Sequence, residues 1–339
     1  MSGGRARIGK RRLLALAALA ALLAVLIALP LGLKNYGVYL LALWAVYCMA
    51  ALGLNLTLGY AGQISLAQAA FLGVGAYVTA LLTKAGVSFW LTWPLGGLVC
   101  FVLGLLLGFP ALRVQHHYLA FVTLAFNALV FLVLRNEEWL TGGVYGVENI
   151  QRPLLLGLST KGPVAFYYLC LALLLAVSAG MWWLLRSPWG RAFQALRENP
   201  LRAASLGVDV RNYTLLAFAI GSGIGGLAGG LYAPLVEYID YTPFELQTSL
   251  AFLLIVVVGG AGYFAGPFLG AAVVMLLPEW LRVSQDYYLI LYALLVMVLM
   301  AICPTGLLGM WERALRGRAL RAGRRGPDVG AAPEPEGGP

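Results

Sequence analysis

Seven uncharged polar side chains sit in or beside long apolar runs in the first half of the chain: Asn55, Thr57, Gln63, Ser65, Gln68, Thr123 and Asn127. The first five surround the glycine-bearing stretch Gly59–Gly62, GYAG. Amides and hydroxyls of this kind, with no acid, base or metal ligand beside them, can do little except hydrogen-bond. At membrane depth they hold helices together, at about 1 kcal/mol or less each, or they line a passage for a zwitterion. The cluster Asn55–Gln68 favours the passage, because it encloses a glycine break. Backbone groups freed where a helix breaks are tolerated in a membrane only if they line a cavity or are buried in protein. Asn127, alone in its run, reads first as helix–helix glue and is kept as a passage candidate. A second group, Gly259, Gly260 and Gly262, falls where another apolar run breaks. Its GGAG echoes GYAG as a degenerate repeat, a feature of many membrane carriers.

A different chemistry lies in Arg186–Asn212, the one long polar island of the sequence. It holds five arginines, Arg186, Arg191, Arg197, Arg202 and Arg211, against two acids, Glu198 and Asp209. Ser187-Pro188 is an N-cap followed by proline at the first helical position. Trp189, Phe193 and Leu196 then recur at spacings of four and three, which draws one apolar stripe on a short helix. Asn199-Pro200 ends that helix and can cap a second, which Gly207 can close. The expected hairpin offers a docking face to a soluble partner. Its stripe would pack into a groove on that partner, with Arg191, Arg197, Glu198 and Asn199 around it. The alternative is a solvated basic connector, since inner loops of membrane proteins are commonly rich in Lys and Arg.

Catalytic motifs are missing. The chain has no GxxxxGK[ST], no HExxH, no GxSxG between strand and helix, and no GxGxxG after a strand, so no nucleotide, metal or cofactor site is expected. The pair His116-His117 lies at a membrane boundary and reads as interfacial. Cys48, Cys100, Cys170 and Cys303 are far apart, which suggests neither zinc nor a disulfide framework.

The elements that must position these groups are helices in a membrane. Hydrophobic residues make up 61% of the 339 positions and charged ones 11%, against roughly 25% charged in an average soluble domain. Apolar runs at Leu13–Leu29, Val38–Leu54, Leu66–Leu82, Phe89–Leu112, Tyr118–Leu134, Val164–Leu185, Tyr213–Leu235, Leu246–Val258, Pro267–Pro278 and Tyr287–Cys303 give about ten spans by the ~20-residue criterion. The expected fold is thus an all-α polytopic membrane protein with broken or re-entrant segments near its glycine-rich stretches. It comprises a basic N-terminus (1–12), a transmembrane domain (13–303) interrupted by 186–212, and a tail (304–339) whose last fifteen or so residues read as disordered. With the N-terminus inside, inner segments hold 17 Lys and Arg and outer loops six, which places both termini in the cytoplasm. The net charge of +9 is accounted for by this bias and calls for no nucleic-acid partner. Gly221, Gly225 and Gly229, with Ser222, Gly226 and Gly230 one position along, form two small-residue ridges suited to close helix packing.

The run LGLNLTLGYAGQISLAQAAFLGVGAYVTALL (52–82) strongly resembles the permeases of branched-chain amino acid ABC importers, in particular their longer, LivM-like subunit. The likeness continues through YLAFVTLAF (118–126), LTGG (140–143), SPWGRAFQALRENPLRAASLGVDVRNY (187–213), GGLAGGLYA (225–233), VVVGGAGYFAGPFLGA (256–271) and PTGLLG (304–309). The resemblance implies an inner-membrane subunit paired with a sister permease, two soluble ATPases and a periplasmic solute-binding protein, with a branched-chain or related hydrophobic amino acid as the small-molecule substrate. It also implies that 186–212 is the loop that engages an ATPase. Two positions depart from the family's pattern: Ala67-Gln68 stands for a usual Gly-His, and Asn127-Ala128 for a usual Gly-Glu. Uncharged amide lining would also suit a urea or short-chain amide importer, and an ATP-independent channel is the alternative from another class.

Overall fold

The computed structural model describes residues 21, 23–111, 118–155, 158–159, 162–281, 294, 297, 306–310 and 313. The basic N-terminus, most of the first expected span, His116-His117, most of the last span with Cys303, and nearly all of the tail lie outside them. The helices are α1 (Leu23–Gly32), α2 (Asn35–Leu54), α3 (Gln68–Lys84), α4 (Phe89–Ala111), α5 (Tyr118–Asn136), α6 (Glu138–Thr141), α7 (Pro163–Arg186), α8 (Pro188–Glu198), α9 (Pro200–Ser205), α10 (Val210–Val236), α11 (Leu246–Gly259) and α12 (Gly266–Leu281). A two-stranded hairpin, Leu154–Leu155 with Leu158–Ser159, is the one paired sheet among the described residues. Among the described residues, five helical stretches are long and apolar enough to cross a membrane: 35–60, 89–111, 119–136, 163–186 and 210–236. The architecture is an all-α, polytopic membrane fold.

Helix α10 is its axis. Both small-residue ridges are buried, and each is used. On one side Gly221 meets the backbone of Gly53 in α2, and Gly225 and Gly229 lie against Gln68, Phe71, Leu72 and Ala76 of α3. On the other, Ser222 faces Gly104, and Gly226 is wedged between Gly75 of α3 and Gly96 and Cys100 of α4. Where glycine meets glycine, at Gly53–Gly221, Gly75–Gly226 and Gly96–Gly226, no side chain separates the backbones, so dispersion contacts and weak Cα–H···O bonds hold helices that have no hydrophobic drive to associate in lipid. Trp93 Nε1 donates to the Leu227 carbonyl at 2.9 Å and pins α4 along the same seam.

The remaining helices pack outside this core. Helix α7 lies on α2, and its Tyr167 and Tyr168 hydroxyls each donate 2.9 Å bonds to carbonyls of α1. Helix α12 is tied to α2 by Trp44 Nε1, which donates to the Phe268 carbonyl at 3.3 Å. At one end of the bundle, Val147 pairs with Ile239, and Arg152 bridges Glu237 at 2.8 Å. Loops 137–162 and 237–245, which the charge count puts on one side, therefore meet. The opposite end gathers the first glycine break, the basic hairpin and the second break.

Candidate functional site

Helix α2 does not stop at Leu54. It continues as a wide π-turn, Asn55–Tyr60, a form that recurs at functional sites because it disrupts the regular ladder. The Thr57 hydroxyl donates back to the Gly53 carbonyl at 3.1 Å. Gly62 has φ +72°, and an irregular segment, neither helix nor strand, follows to Ala67. Along it Gly62 and Ile64 are exposed, whereas Gln63, Ser65 and Ala67 are buried. The second break is built alike. Helix α11 ends at Gly259, Gly260 and Gly262 have positive φ, and Gly266 opens α12. The fourth residue of each motif, Gly62 and Gly262, is thus left-handed.

The two breaks lie in contact. Asn55 Nδ2 donates to the Tyr263 carbonyl at 3.0 Å, and Asn55 Oδ1 accepts from Gly262 N at 2.9 Å. Both ends of one amide are engaged, and Gly59 has no room for a side chain between that amide and Gly262 N. Gln68 Nε2 donates to the Ala50 carbonyl at 2.7 Å, and Gln63 Nε2 to the Thr214 carbonyl at 3.2 Å. Gln63 Oε1 is buried without a protein partner.

The start of α3 exposes backbone N–H groups inside the bundle, and side chains meet them. Thr123 accepts from Leu66 N at 3.1 Å, Ser65 from Ala67 N at 3.4 Å, Ser249 from Ala69 N at 3.0 Å, and Asn127 Oδ1 from Ala70 N at 3.1 Å. Ser249 also donates to Asn127 Oδ1 at 3.1 Å. Asn127 therefore ties α3 to α5 and α11. Asn127→Leu leaves two buried donors unpaired, at about 1–3 kcal/mol each. It is expected to lower the thermal midpoint of the purified chain in detergent without changing its oligomeric profile.

The polar island folds as the two-helix hairpin the sequence predicts. Ser187 Oγ accepts from Trp189 N at 3.2 Å, Asn199 Oδ1 from Arg202 N at 3.1 Å, and Gly207 follows α9 with φ +84°. Its apolar stripe faces the other way from the expectation. Phe193 is 0% and Leu196 3% exposed, and Phe193 meets the Tyr213 ring edge-on at 6.2 Å. The two close α8 onto α7, the π-turn and α10. A stripe at helical spacing specifies burial, and the nearest apolar surface belongs to this chain. Trp189 is half exposed, Arg191, Arg197 and Glu198 are exposed, and Asn199 is intermediate. The outward apolar groups are instead Leu201 and Leu206, 83% and 82% exposed beside Arg202.

The structure thus gathers Asn55, Gly59, Gly62, Gly259, Gly260 and Arg197 at one junction, with Gln63 beside it. It places Ser65, Gln68 and Asn127 deeper, around the start of α3. Sequence reasoning did not single out Ser249, Thr214, Tyr263, Ile64, Leu201 or Leu206. Ser249 and Thr214 could have been flagged as hydroxyls in apolar runs, and Leu201 and Leu206 as apolar residues in a polar island. An apolar crevice of about 320 Å³ between α3, α4 and α5, lined by Val74, Tyr77, Leu81, Phe126, Val130 and Leu134 among others, contains none of the candidate residues.

Residues 36–301 match the family described as branched-chain amino acid transport system / permease component. The chain is 34% identical over 322 residues to the high-affinity branched-chain amino acid transport system permease protein LivM of Salmonella typhimurium, covering 88% of this chain and 76% of that protein. The protein of the same name from Escherichia coli K12 is similar to the same extent. The autoinducer 2 import system permease protein LsrC of Salmonella typhimurium is 29% identical over 210 residues, 59% of this chain and 57% of LsrC. No solved structure matches.

Proposed function

The chain belongs to the family of branched-chain amino acid transport system permease components, and from that premise we propose that it is one transmembrane subunit of an ATP-driven importer. The cargo on this reading is leucine, isoleucine, valine or a related hydrophobic amino acid. The partners are a sister permease, two cytoplasmic ATPases and a periplasmic solute-binding protein. The α8–α9 hairpin carries the proposal: its outer face offers Trp189, Arg191, Leu201, Arg202 and Leu206 to a soluble partner, while its inner face rests on both glycine breaks. The passage follows the exposed strip at Gly62 and Ile64, held in place by the buried amides of Asn55, Gln63 and Gln68 and by Ser65 and Asn127. Gly59, Gly259 and Gly260 permit the close approach of the two breaks.

The charge distribution supports an external energy source. Every Asp, Glu, Lys and Arg falls in a loop, a terminus or the end of an apolar run, whereas proton-coupled carriers hold ionisable groups at membrane depth. In proteoliposomes containing the assembled complex, leucine accumulation is expected to survive ionophores and to stop without ATP on the hairpin side. Accumulation by this chain alone on an imposed ion gradient would overturn the proposal. The hairpin and both termini are placed in the cytoplasm by the charge bias. Single cysteines replacing Arg202 and Glu148, in a background without the native four, should accordingly label from opposite sides of the membrane with an impermeant reagent. Labelling of both from one side would refute the arrangement.

A further inference from the structure

The hairpin's arginines are not equivalent. Arg186, the last residue of α7, stacks on Trp182 of the same helix at 3.5 Å, and Arg211, in the first turn of α10, stacks on Phe109 of α4 at 4.8 Å. Arg197 instead reaches across to the second glycine break. Its Nη2 donates to the Ala261 carbonyl at 3.3 Å. Its guanidinium lies so close over Gly262 that a methyl group there would collide with Nη1. The backbone and stem of the same residue cover the first break: a methyl at Gly62 would be 3.4 Å from Arg197 Cα and 3.6 Å from Cγ. One residue of α8 therefore touches the left-handed glycine of both motifs. The breaks are joined beneath it through Asn55, and Gly306, at the start of the tail, is seated against Gly260.

We propose that Arg197 is a positioning residue for transport: it latches the two glycine breaks to α8, and movement of the hairpin releases both together. The inference rests on the reading above, in which the driving energy enters at this hairpin. Phe193 and Leu196 root α8 in the bundle, and Arg197 is the next residue along, at the end of the helix that leads to the exposed α9. Tilting α8 withdraws the guanidinium from Ala261 and lifts the Arg197 stem off Gly62 in one motion. The bond lies at an exposed edge, where water can take over the groups it frees, so the latch opens for the loss of one charge-assisted hydrogen bond and closes again. Lysine is a poor substitute, because a compact ammonium can meet the carbonyl but cannot also cover Gly262 as a planar guanidinium does. Glycine is required at 262 on three counts: its φ is +85°, a Cβ would lie 2.7 Å from the Gly59 carbonyl oxygen, and it would occupy the place of the guanidinium.

The primary test needs only the full-length chain in nanodiscs. Hydrogen exchange in peptides covering 59–66 and 257–263 should be about tenfold faster in Arg197→Ala, as expected when a charge-assisted hydrogen bond is lost. Exchange in 221–230 should be unchanged. Gly262→Ala, which also strains the backbone at φ +85° and meets the Gly59 carbonyl, should quicken both segments at least as much with Arg197 intact, and adding Arg197→Ala to it should quicken neither further, since the latch is already broken. Arg197→Lys should fall between wild type and Arg197→Ala, and Arg202→Ala should change nothing in either segment. Faster exchange in one segment alone, in neither, or equally in 221–230 would overturn the latch.

The second test uses the assembled complex with leucine as probe. Arg197→Ala should keep its ATPases on purification yet carry several-fold less leucine per ATP hydrolysed. If it loses the ATPases instead, Arg197 is a docking residue, and the latch fails while the importer reading stands. If the unaltered complex shows no ATP-dependent uptake, the importer reading fails, and the exchange data still decide the latch.

Discussion

Replacing Gly226 with leucine is expected to abolish the folded protein. A Cβ there would lie 2.6 Å from both Cβ and Sγ of Cys100 and 2.8 Å from the Gly96 carbonyl, while the Gly226 backbone already touches Gly75 on the other side. None of these neighbours can move alone, since each is backbone or a short buried side chain on a packed helix. Overpacking a core costs about 1–3 kcal/mol where neighbours can adjust, occasionally more. Two helices would have to part here, so the upper end or beyond is expected. The measurement is the monodisperse fraction on size exclusion in mild detergent, which should fall to near zero. Gly180 in α7, with nothing within 4 Å of an added Cβ, is the comparison. Leucine there should leave the yield unchanged and the thermal midpoint equal or higher, because Leu exceeds Gly in helix propensity. Equal tolerance at both positions would show that the α3–α10–α4 seam is not close-packed.

Phe193→Asp should act on this chain before it acts on any partner. Phe193 is fully buried against Tyr213 and the base of α8. A carboxylate in that setting costs about 3 kcal/mol or more, through desolvation without a compensating partner. The purified variant should therefore show a lower thermal midpoint and faster proteolysis within 186–212, even with no ATPase present. Leu201→Asp and Leu206→Asp expose no cavity and bury no charge, so both should match the unaltered chain in stability. Under the proposed function they should instead lose ATPase on co-purification by about tenfold or more, the effect of truncating a buried interface anchor. A stable, protease-resistant Phe193→Asp chain would contradict the inward orientation of the stripe.

Much of the fold was legible because each element is announced by a local rule. The all-helical membrane class follows from long apolar runs. The hairpin follows from Ser187-Pro188, Asn199-Pro200 and Gly207, each an atom-level capping device that works regardless of what surrounds it. The ridges of α10 follow from four-residue spacing. What was not legible depends on which surface lies opposite. Trp189, Phe193 and Leu196 show that one face of α8 is buried but not against what. Likewise, Asn55 and Asn127 look alike in sequence. One is a two-ended clamp between glycine motifs some 200 residues apart in sequence, the other a cap on a helix start. Sequence distance hides such pairs, because no periodicity links them. Arg197 was legible as a charge on an exposed hairpin, but its reach to Ala261 was not.

The seam along α10 also limits how this molecule can move. Helices that interdigitate flexible side chains can slide past one another by re-choosing rotamers, which is how shear motions are accommodated. Gly75, Gly96 and Gly226 have no rotamers to re-choose, and their backbones are already in contact. Translation along the seam would drive carbonyl oxygens into neighbouring chains, so α3, α4 and α10 travel as one rigid body. Whatever displacement accompanies the passage of a solute must then be a rotation concentrated where the backbone can turn. Gly62 and Gly262, both with left-handed backbone, are two such places, and they share one end of the bundle.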